Sequence, residues 1–374
     1  MDELHQIVAV SSHEKRIVLA IDSFKGCLTS VEANTAAAEG VLSCCPRAEI
    51  IQIPVSDGGE GWLEAYRSAI GGDVVELYVR DPLMRSVLSS YLITGDTAVI
   101  EMAKASGLPL LLPEERNVLR ATSYGTGQLV VDAVRRGCRK IIVGLGGSAT
   151  SDCGIGMIRA MIDAFAKQGT WDDIHELANI HFVIATDVTN PLCGPNGAAC
   201  VFGPQKGATP EMVRLLDARA SRFAEVSARH FGYDRQHLPG AGAAGGLGYA
   251  FLQYMNADCR SGIDLLLDSL RFDELLEHTT LVITGEGAAD RQTLMGKLPF
   301  GILRRCKAYG IPVSLIAGQV SDDKELLEAG YACVDCINPP NTALSEAVNP
   351  VTAKKNISAT VTAVLSDRFR GLSV

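Results

Sequence analysis

No stretch of this chain approaches the ~20 consecutive apolar residues that would carry a helix across a bilayer, so an integral helical membrane protein is not expected. Basic tracts are missing too. With 34 Lys and Arg against 43 Asp and Glu, the formal net charge is -9. That balance disfavours nucleic acid and anionic membrane surfaces as partners, although a few local lysines suffice for one small anion. The first sixteen residues hold only one short apolar stretch, residues 7–10, too short for a signal peptide. A cytoplasmic location is therefore expected, with the eleven cysteines mostly buried free thiols.

Several catalytic signatures are also lacking. Gly296-Lys297 has neither the upstream Gly nor the following Ser or Thr of a Walker A loop. No H-R-D, D-F-G or G-x-S-x-G occurs, and the seven histidines form no H-E-x-x-H. These gaps remove the P-loop, protein-kinase, serine-hydrolase and zinc-protease readings. Cys333-x-x-Cys336 has metal-like spacing, but it lies in a predicted strand, where residues three apart point to opposite faces, and no second CxxC completes a four-ligand site. The vicinal Cys44-Cys45 pair closes a predicted helix and reads as core packing.

What is present is an ordinary soluble composition, 47% hydrophobic and 21% charged, over 374 residues. That length exceeds what one core usually supports, so two domains are expected. Residues 17–21 form a continuous apolar run, the signature of a strand buried on both faces. A helix capped by Thr29 or Ser30 follows to about Cys44, then a strand over 49–55 and a short helix over 59–70. The same rhythm returns late in the chain, with strands at 281–284, 313–317 and 332–337 and helices at 297–309, 322–329 and 352–369. Together these give five strands, each followed by a helix, the inventory of a flavodoxin-like doubly wound parallel sheet of order 2-1-3-4-5. The count closes if residues 1–72 and 281–374 make one domain and residues 73–280 an inserted α/β domain. Within the insert the pattern predicts helices at 121–136 and from about 157 to a stop at Gly169, and strands at 140–145 and 181–186.

Carboxylates fall where such a sheet binds ligands, beyond the carboxyl ends of its strands. Asp22 ends the first strand, Asp57 follows the second and Glu286 ends the third, while Asp187 holds the same relation to a strand of the insert. One such Asp could simply start a turn; several, with lysines and glycine loops beside them, point to a site. Gly144 to Thr150 (GLGGSAT) joins a strand to a helix and can present backbone N–H groups at a positive helix end to a phosphate or carboxylate. Gly240 to Gly248 contains a formal G-x-G-x-x-G, but no strand precedes it, so the dinucleotide fingerprint fails. Close helix packing and ligand contact both remain open for those glycines. Lys25, Lys206 and Lys297 each lie in a Gly-containing turn. A lone surface lysine is usually only solvated; with the carboxylates, these three suggest phosphoryl transfer.

Eight motifs in order, DSFKG (from Asp22), SDGGEG (from Ser56), ATSYGTG (from Ala121), GLGGSAT (from Gly144), DVTNPL (from Asp187), VFGPQKGA (from Val201), GAGAAGGLG (from Gly240) and ITGEG (from Ile283), resemble the first glycerate kinase family of bacteria. The resemblance implies ATP-dependent phosphorylation of D-glycerate, normally to 2-phosphoglycerate, in glycolate, glyoxylate or sugar-diacid catabolism. It also implies two α/β domains with the active site in the cleft between them. On that basis Ser23, Lys25, Gly58 and Gly59 are expected to hold the substrate carboxylate, and Asp57 or Asp187 to act as base, with Lys25 as a further catalytic group. Mg²⁺ would fall to Asp187 and Glu286, and phosphates to Gly146, Gly147, Ser148, Lys206, Gly285 and Glu286. Departures are few. Trp62 stands where relatives carry Thr or Ser, Cys27 replaces a common Ser, and Ser151 and Cys153 replace Asn and Gly. A homo-oligomer is compatible with the sequence. The rival reading is a non-catalytic regulator that binds glycerate or a phosphorylated acid; retention of so many acids and lysines weighs against it.

Overall fold

A computed structural model of the chain describes residues 15–55 and 61–368. In chain order its strands are β1 (Arg16–Ile21), β2 (Glu49–Gln52), β3 (Asp73–Arg80), β4 (Ser86–Thr94), β5 (Thr97–Glu101), β6 (Lys140–Gly144), β7 (His181–Ala185), β8 (Asp258–Arg260), β9 (Thr279–Ala289), β10 (Val313–Val320) and β11 (Cys333–Cys336). They form two sheets in two compact units.

The first unit takes the described residues of Met1–Ile53, Asp273–Leu294 and Ile302–Val374, three separate pieces of chain. Its sheet runs β2-β1-β9-β10-β11, every pair parallel, which is the expected order 2-1-3-4-5. Helices on both faces of a parallel sheet require strands that are apolar throughout, and Ile17 to Ile21 are all fully buried. The helix Ser30–Cys44 starts on a capping box in which Thr29 Oγ1 accepts from Glu32 N and the Glu32 carboxylate accepts from Thr29 N. Within it, fully buried Asn34 joins the two strand ends: Oδ1 accepts from Ile21 N at 3.2 Å and Nδ2 donates to Ile53 O at 3.3 Å. A buried amide with its valences filled this way fixes where β1 and β2 stop.

The second unit comprises Pro54–Phe272 and Met295–Gly301. Its sheet runs β3-β4-β5-β6-β7-β8, antiparallel from β3 to β5 and parallel from β5 to β8. The helices Tyr124–Arg135 and Ile155–Phe165 cover it with Leu129, Val130, Met157 and Met161, all fully buried. Here the boundary departs from expectation. The strand–helix rhythm predicts the helix Trp62–Ile70 in the first unit, yet it packs in the second, with Trp62 and Tyr66 fully buried and Leu63 N bonded to Glu101 at the end of β5. Apolar burial on this helix outweighs the local rhythm that suggested the other side. The segment holding Lys297 also falls in this unit.

All eleven cysteines are free thiols. Cys333 is buried, with Sγ near Ser314 Oγ at 3.1 Å, whereas Cys336 is exposed, the opposite-face arrangement expected of a strand. Among the described residues no helix is long and apolar enough to cross a membrane.

Candidate active site

At the carboxyl edge of the first sheet, Ile21 pairs with Gly285, and Asp22 N donates to Gly285 O at 2.9 Å. Asp22 Oδ1 turns back to accept from Ser23 N at 2.7 Å. A tight turn closed by Phe24 and Leu28 leaves Lys25 on the surface. Glu286 is 8% exposed, and its Oε1 accepts from Thr293 Oγ1 at 2.6 Å. Gly285 has a packing reason for its identity, because a Cβ there would lie 2.5 Å from Ile316 O on β10. Asp22, Ser23, Lys25, Gly285 and Glu286 are thus brought to one edge. Asp57, Gly58 and Gly59 lie outside the described residues.

The parallel strands of the second unit end in Glu101, Gly144, Ala185 and Arg260. Asp187, half-buried, follows β7 by two residues and is near enough to the Cys259 thiol to help raise its pKa, behind the larger effect of burial. From β6 the chain enters Leu145 to Thr150. Here the N–H groups of Gly146, Gly147 and Ser148 have no hydrogen-bond partner among the described residues. Gly147 takes a left-handed φ of 72°, the kind of backbone turn from which anion-binding concavities are built. Lys206 sits behind this loop, 3% exposed, with Nζ donating to Ser148 Oγ and to Thr150 O, both at 2.7 Å. Burial lowers its pKa from 10.5 to about 7, and the Asp152 carboxylate opposes that shift only in part.

The helix end behaves differently from the sequence expectation. The amides at the start of the helix Ile155–Phe165 are engaged by the chain's own carboxylate. Asp152 Oδ1 accepts from Gly154 N at 3.2 Å, and Oδ2 accepts from Gly156 N at 3.1 Å, Ser123 N at 2.8 Å and Ser123 Oγ at 2.9 Å. An anion at a positive helix end is therefore supplied internally. The amides open to a ligand are those of the loop before it. Gly240 to Gly248 resolves toward packing: Cβ atoms at Gly245 and Gly248 would sit 2.0 Å from Thr150 O and Gly240 O. The first of these presses the segment against the end of the Gly146 loop.

Two carboxylates outside the motif reading also stand here. Glu101 is 4% exposed, pairs with Gly144 across β5 and β6, and accepts from Leu63 N at 3.2 Å. Its signal is present in the sequence, since it ends an apolar strand and Asp22 directly follows one; Glu286, expected at a strand end, instead lies inside β9, paired with Ala317 of β10 three residues before the strand stops. Asp152 has a local signal, an acid just ahead of the helix amides of Gly154 and Gly156, but its bonds to Ser123, 29 residues away, have none. Lys104, half-buried, neighbours Ala103, whose Cβ packs against Gly147.

Unpartnered amides beside a buried lysine, on an α/β scaffold with carboxylates at strand ends, are the kind of groups that an enzyme of phosphate chemistry draws on. Comparison with known proteins narrows the class. The profile of the glycerate kinase family matches residues 17–171 and 162–367, and the chain belongs to that family. A glycerate kinase from Haemophilus influenzae is 42% identical over 83% of this chain and 88% of its own length. Glycerate 2-kinase of Escherichia coli is 39% identical over 92% of this chain and 98% of its own length. A crystal structure from Salmonella typhimurium LT2, described as a candidate glycerate kinase 2, superposes with a TM-score of 0.79 at 37% identity, covering 96% of this chain and 100% of the other. The protein is accordingly a kinase.

Proposed function

We propose that this kinase transfers the γ-phosphoryl group of ATP to D-glycerate, forming 2-phosphoglycerate in the catabolism of glycolate, glyoxylate or sugar diacids in the cytoplasm. Family membership supplies the reaction class. The observation that carries the reading is the Gly146–Gly147–Ser148 loop, whose three amides lack partners among the described residues while buried Lys206 backs it. Such a loop stabilises phosphate oxygens through dipoles already oriented before the substrate arrives.

The remaining roles follow from the chemistry required. Lys25, exposed in its turn beside Ser23, takes the glycerate carboxylate with Gly58 and Gly59. Asp57 or Asp187 orients the accepting hydroxyl. Its oxygen forms a bond to the γ-phosphorus as the bond to the β–γ bridging oxygen breaks; ADP leaves, and the hydroxyl proton passes to the carboxylate. Mg²⁺ is commonly held by one or two carboxylates together with substrate phosphates, and Asp187 and Glu286 are the proposed candidates for that role. Bound there, it would neutralise phosphate oxygens. Holding the acid through its carboxylate presents a hydroxyl in line, which is where positioning lowers the barrier.

A coupled ADP-release assay tests this reading. D-glycerate should trigger ADP formation, and phosphorus NMR of the product should show 2-phosphoglycerate. Absence of glycerate-dependent ADP release would overturn the reaction, and a 3-phosphoglycerate signal would overturn its regiochemistry.

A further inference from the structure

The second unit contains a cleft of about 670 Å³ at the start of the helices Tyr124–Arg135 and Ile155–Phe165. That volume lies in the range of small-ligand sites. Val118, Leu119 and Leu216 give it an apolar floor, and Arg120 and Arg219 stand on its wall. Its carboxylates are already engaged. Asp152 holds backbone amides and Ser123, while Asp163 pairs with Arg159 at 2.8 Å and accepts from Tyr124 Oη at 3.1 Å. Neither Arg120 nor Arg219 has a side-chain partner among the described residues, so the uncompensated charge in the cleft is positive. Ser151, 8% exposed, also lines it, and its Oγ is buried without a hydrogen-bond partner. A buried hydroxyl left unpaired is costly unless a ligand or water completes it.

An apolar floor, two free guanidiniums and an unpaired hydroxyl suit a ligand with a flat apolar ring, hydroxyls and an anionic chain. The position of the cleft identifies which. Ser151 is three residues beyond Ser148, so at most about 11 Å of chain separates the cleft wall from the open amides of the phosphate loop. We infer that this cleft receives the adenosine end of the phosphoryl donor: the purine lies against Val118, Leu119 and Leu216, the phosphate chain passes Arg120 and Arg219, and its terminal groups reach Gly146 to Ser148. This assignment rests on the ATP-dependent reading above and adds residues to it that no motif contains. Arg120 and Arg219 bind the donor and leave the acid untouched, so they set the affinity for nucleotide.

The test is ADP binding to the full-length protein by isothermal titration calorimetry, alongside steady-state kinetics, for Arg120→Glu, Arg219→Glu and the double variant. Both side chains are exposed, so the fold should tolerate reversal of charge. Each single variant should weaken ADP binding and raise KM for ATP about tenfold or more, with KM for D-glycerate and the melting temperature unchanged. Leu119→Trp, which fills the floor, should do the same through shape. If the double variant binds ADP within twofold of wild type, the cleft assignment is overturned while the kinase reading stands. If wild type binds ADP but releases none in the presence of D-glycerate, the proposed acceptor fails, and the binding data on the variants still decide the cleft. Wild type that binds neither ADP nor ATP overturns the assignment.

Discussion

Replacing Lys206 with Met should alter the pH dependence of stability as much as it alters catalysis. The side chain is 3% exposed, and burial holds its pKa near 7 in the folded protein against 10.5 unfolded. Below pH 7 both states bind the proton and the full cost of the buried charge is present. Between 7 and 10.5 the unfolded chain binds more protons, so stability rises with pH, and above 10.5 the penalty is gone. The complete shift corresponds to something on the order of 5 kcal/mol, of which about 2 kcal/mol should appear between pH 7 and pH 9. Met retains the aliphatic bulk and removes the charge. It also leaves Thr150 O without its donor, at a cost of about 1–3 kcal/mol. At neutral pH relief of the charge penalty outweighs the lost hydrogen bond, so the Met variant should be the more stable there, by about 2–4 kcal/mol. That advantage should shrink as wild type gains stability on the Met variant from neutral pH to pH 9. Urea unfolding of both proteins at pH 7, 8 and 9 reads this directly, and kcat/KM for ATP should fall about 10- to 100-fold as the loop loses its cationic support. Parallel stability curves across that range would refute the account of Lys206 as a buried lysine near neutrality.

Three further outcomes can be checked in the same assays. Asp152→Ala removes the carboxylate that accepts from Ser123 N, Ser123 Oγ, Gly154 N and Gly156 N, and should destabilise the fold by about 3 kcal/mol in thermal or urea unfolding. Asp187→Asn keeps the shape of the residue after β7 but removes its charge; kcat should drop on the order of 10²-fold with the melting temperature unchanged, and near-wild-type turnover would remove Asp187 from the reaction. Gly147→Val forces a β-branched residue into a φ of 72° with Ala103 Cβ 3.2 Å away. KM for ATP or D-glycerate should rise at least tenfold while circular dichroism stays unchanged.

The parts of the fold that could be read directly were those governed by short-range pattern. The runs at Ile17 to Ile21 and Leu281 to Ile283 announce strands buried on both faces, and five of them with following helices leave few topologies open. Thr29 with Glu32 marks a helix start by local chemistry alone. What escaped depends on partners far away in sequence. The helix Trp62–Ile70 is amphipathic on either assignment, and only its packing against β5 decides which unit owns it. The glycine loop is visible as composition; Asp152 stands just ahead of the helix amides it accepts from, but its bonds to Ser123 cross 29 residues and leave no pattern. Lys206 looked like an exposed turn lysine; its burial follows from contacts with Ser148 and Thr150, 58 and 56 residues upstream. Neither spacing forms a recognisable pattern.

The interruption of the first unit's chain has a consequence for its synthesis. β1 is a central strand, flanked by β2 and β9, and Thr284 Oγ1 bonds to Ala20 O across 264 residues. At about 5–20 residues per second, a ribosome takes roughly 13–50 s to make the chain between those partners. During that interval β1, apolar from Ile17 to Ile21, has β2 on one side and unpaired backbone groups where β9 will lie on the other. The second unit, almost entirely one continuous segment, can complete its sheet in that time, because β8 ends at Arg260 before β9 begins. Nascent chains of this protein therefore pass through a stage with one finished unit and one open strand edge. Truncation between Arg260 and Thr279 should arrest them there, giving a species that pairs with other chains along β1.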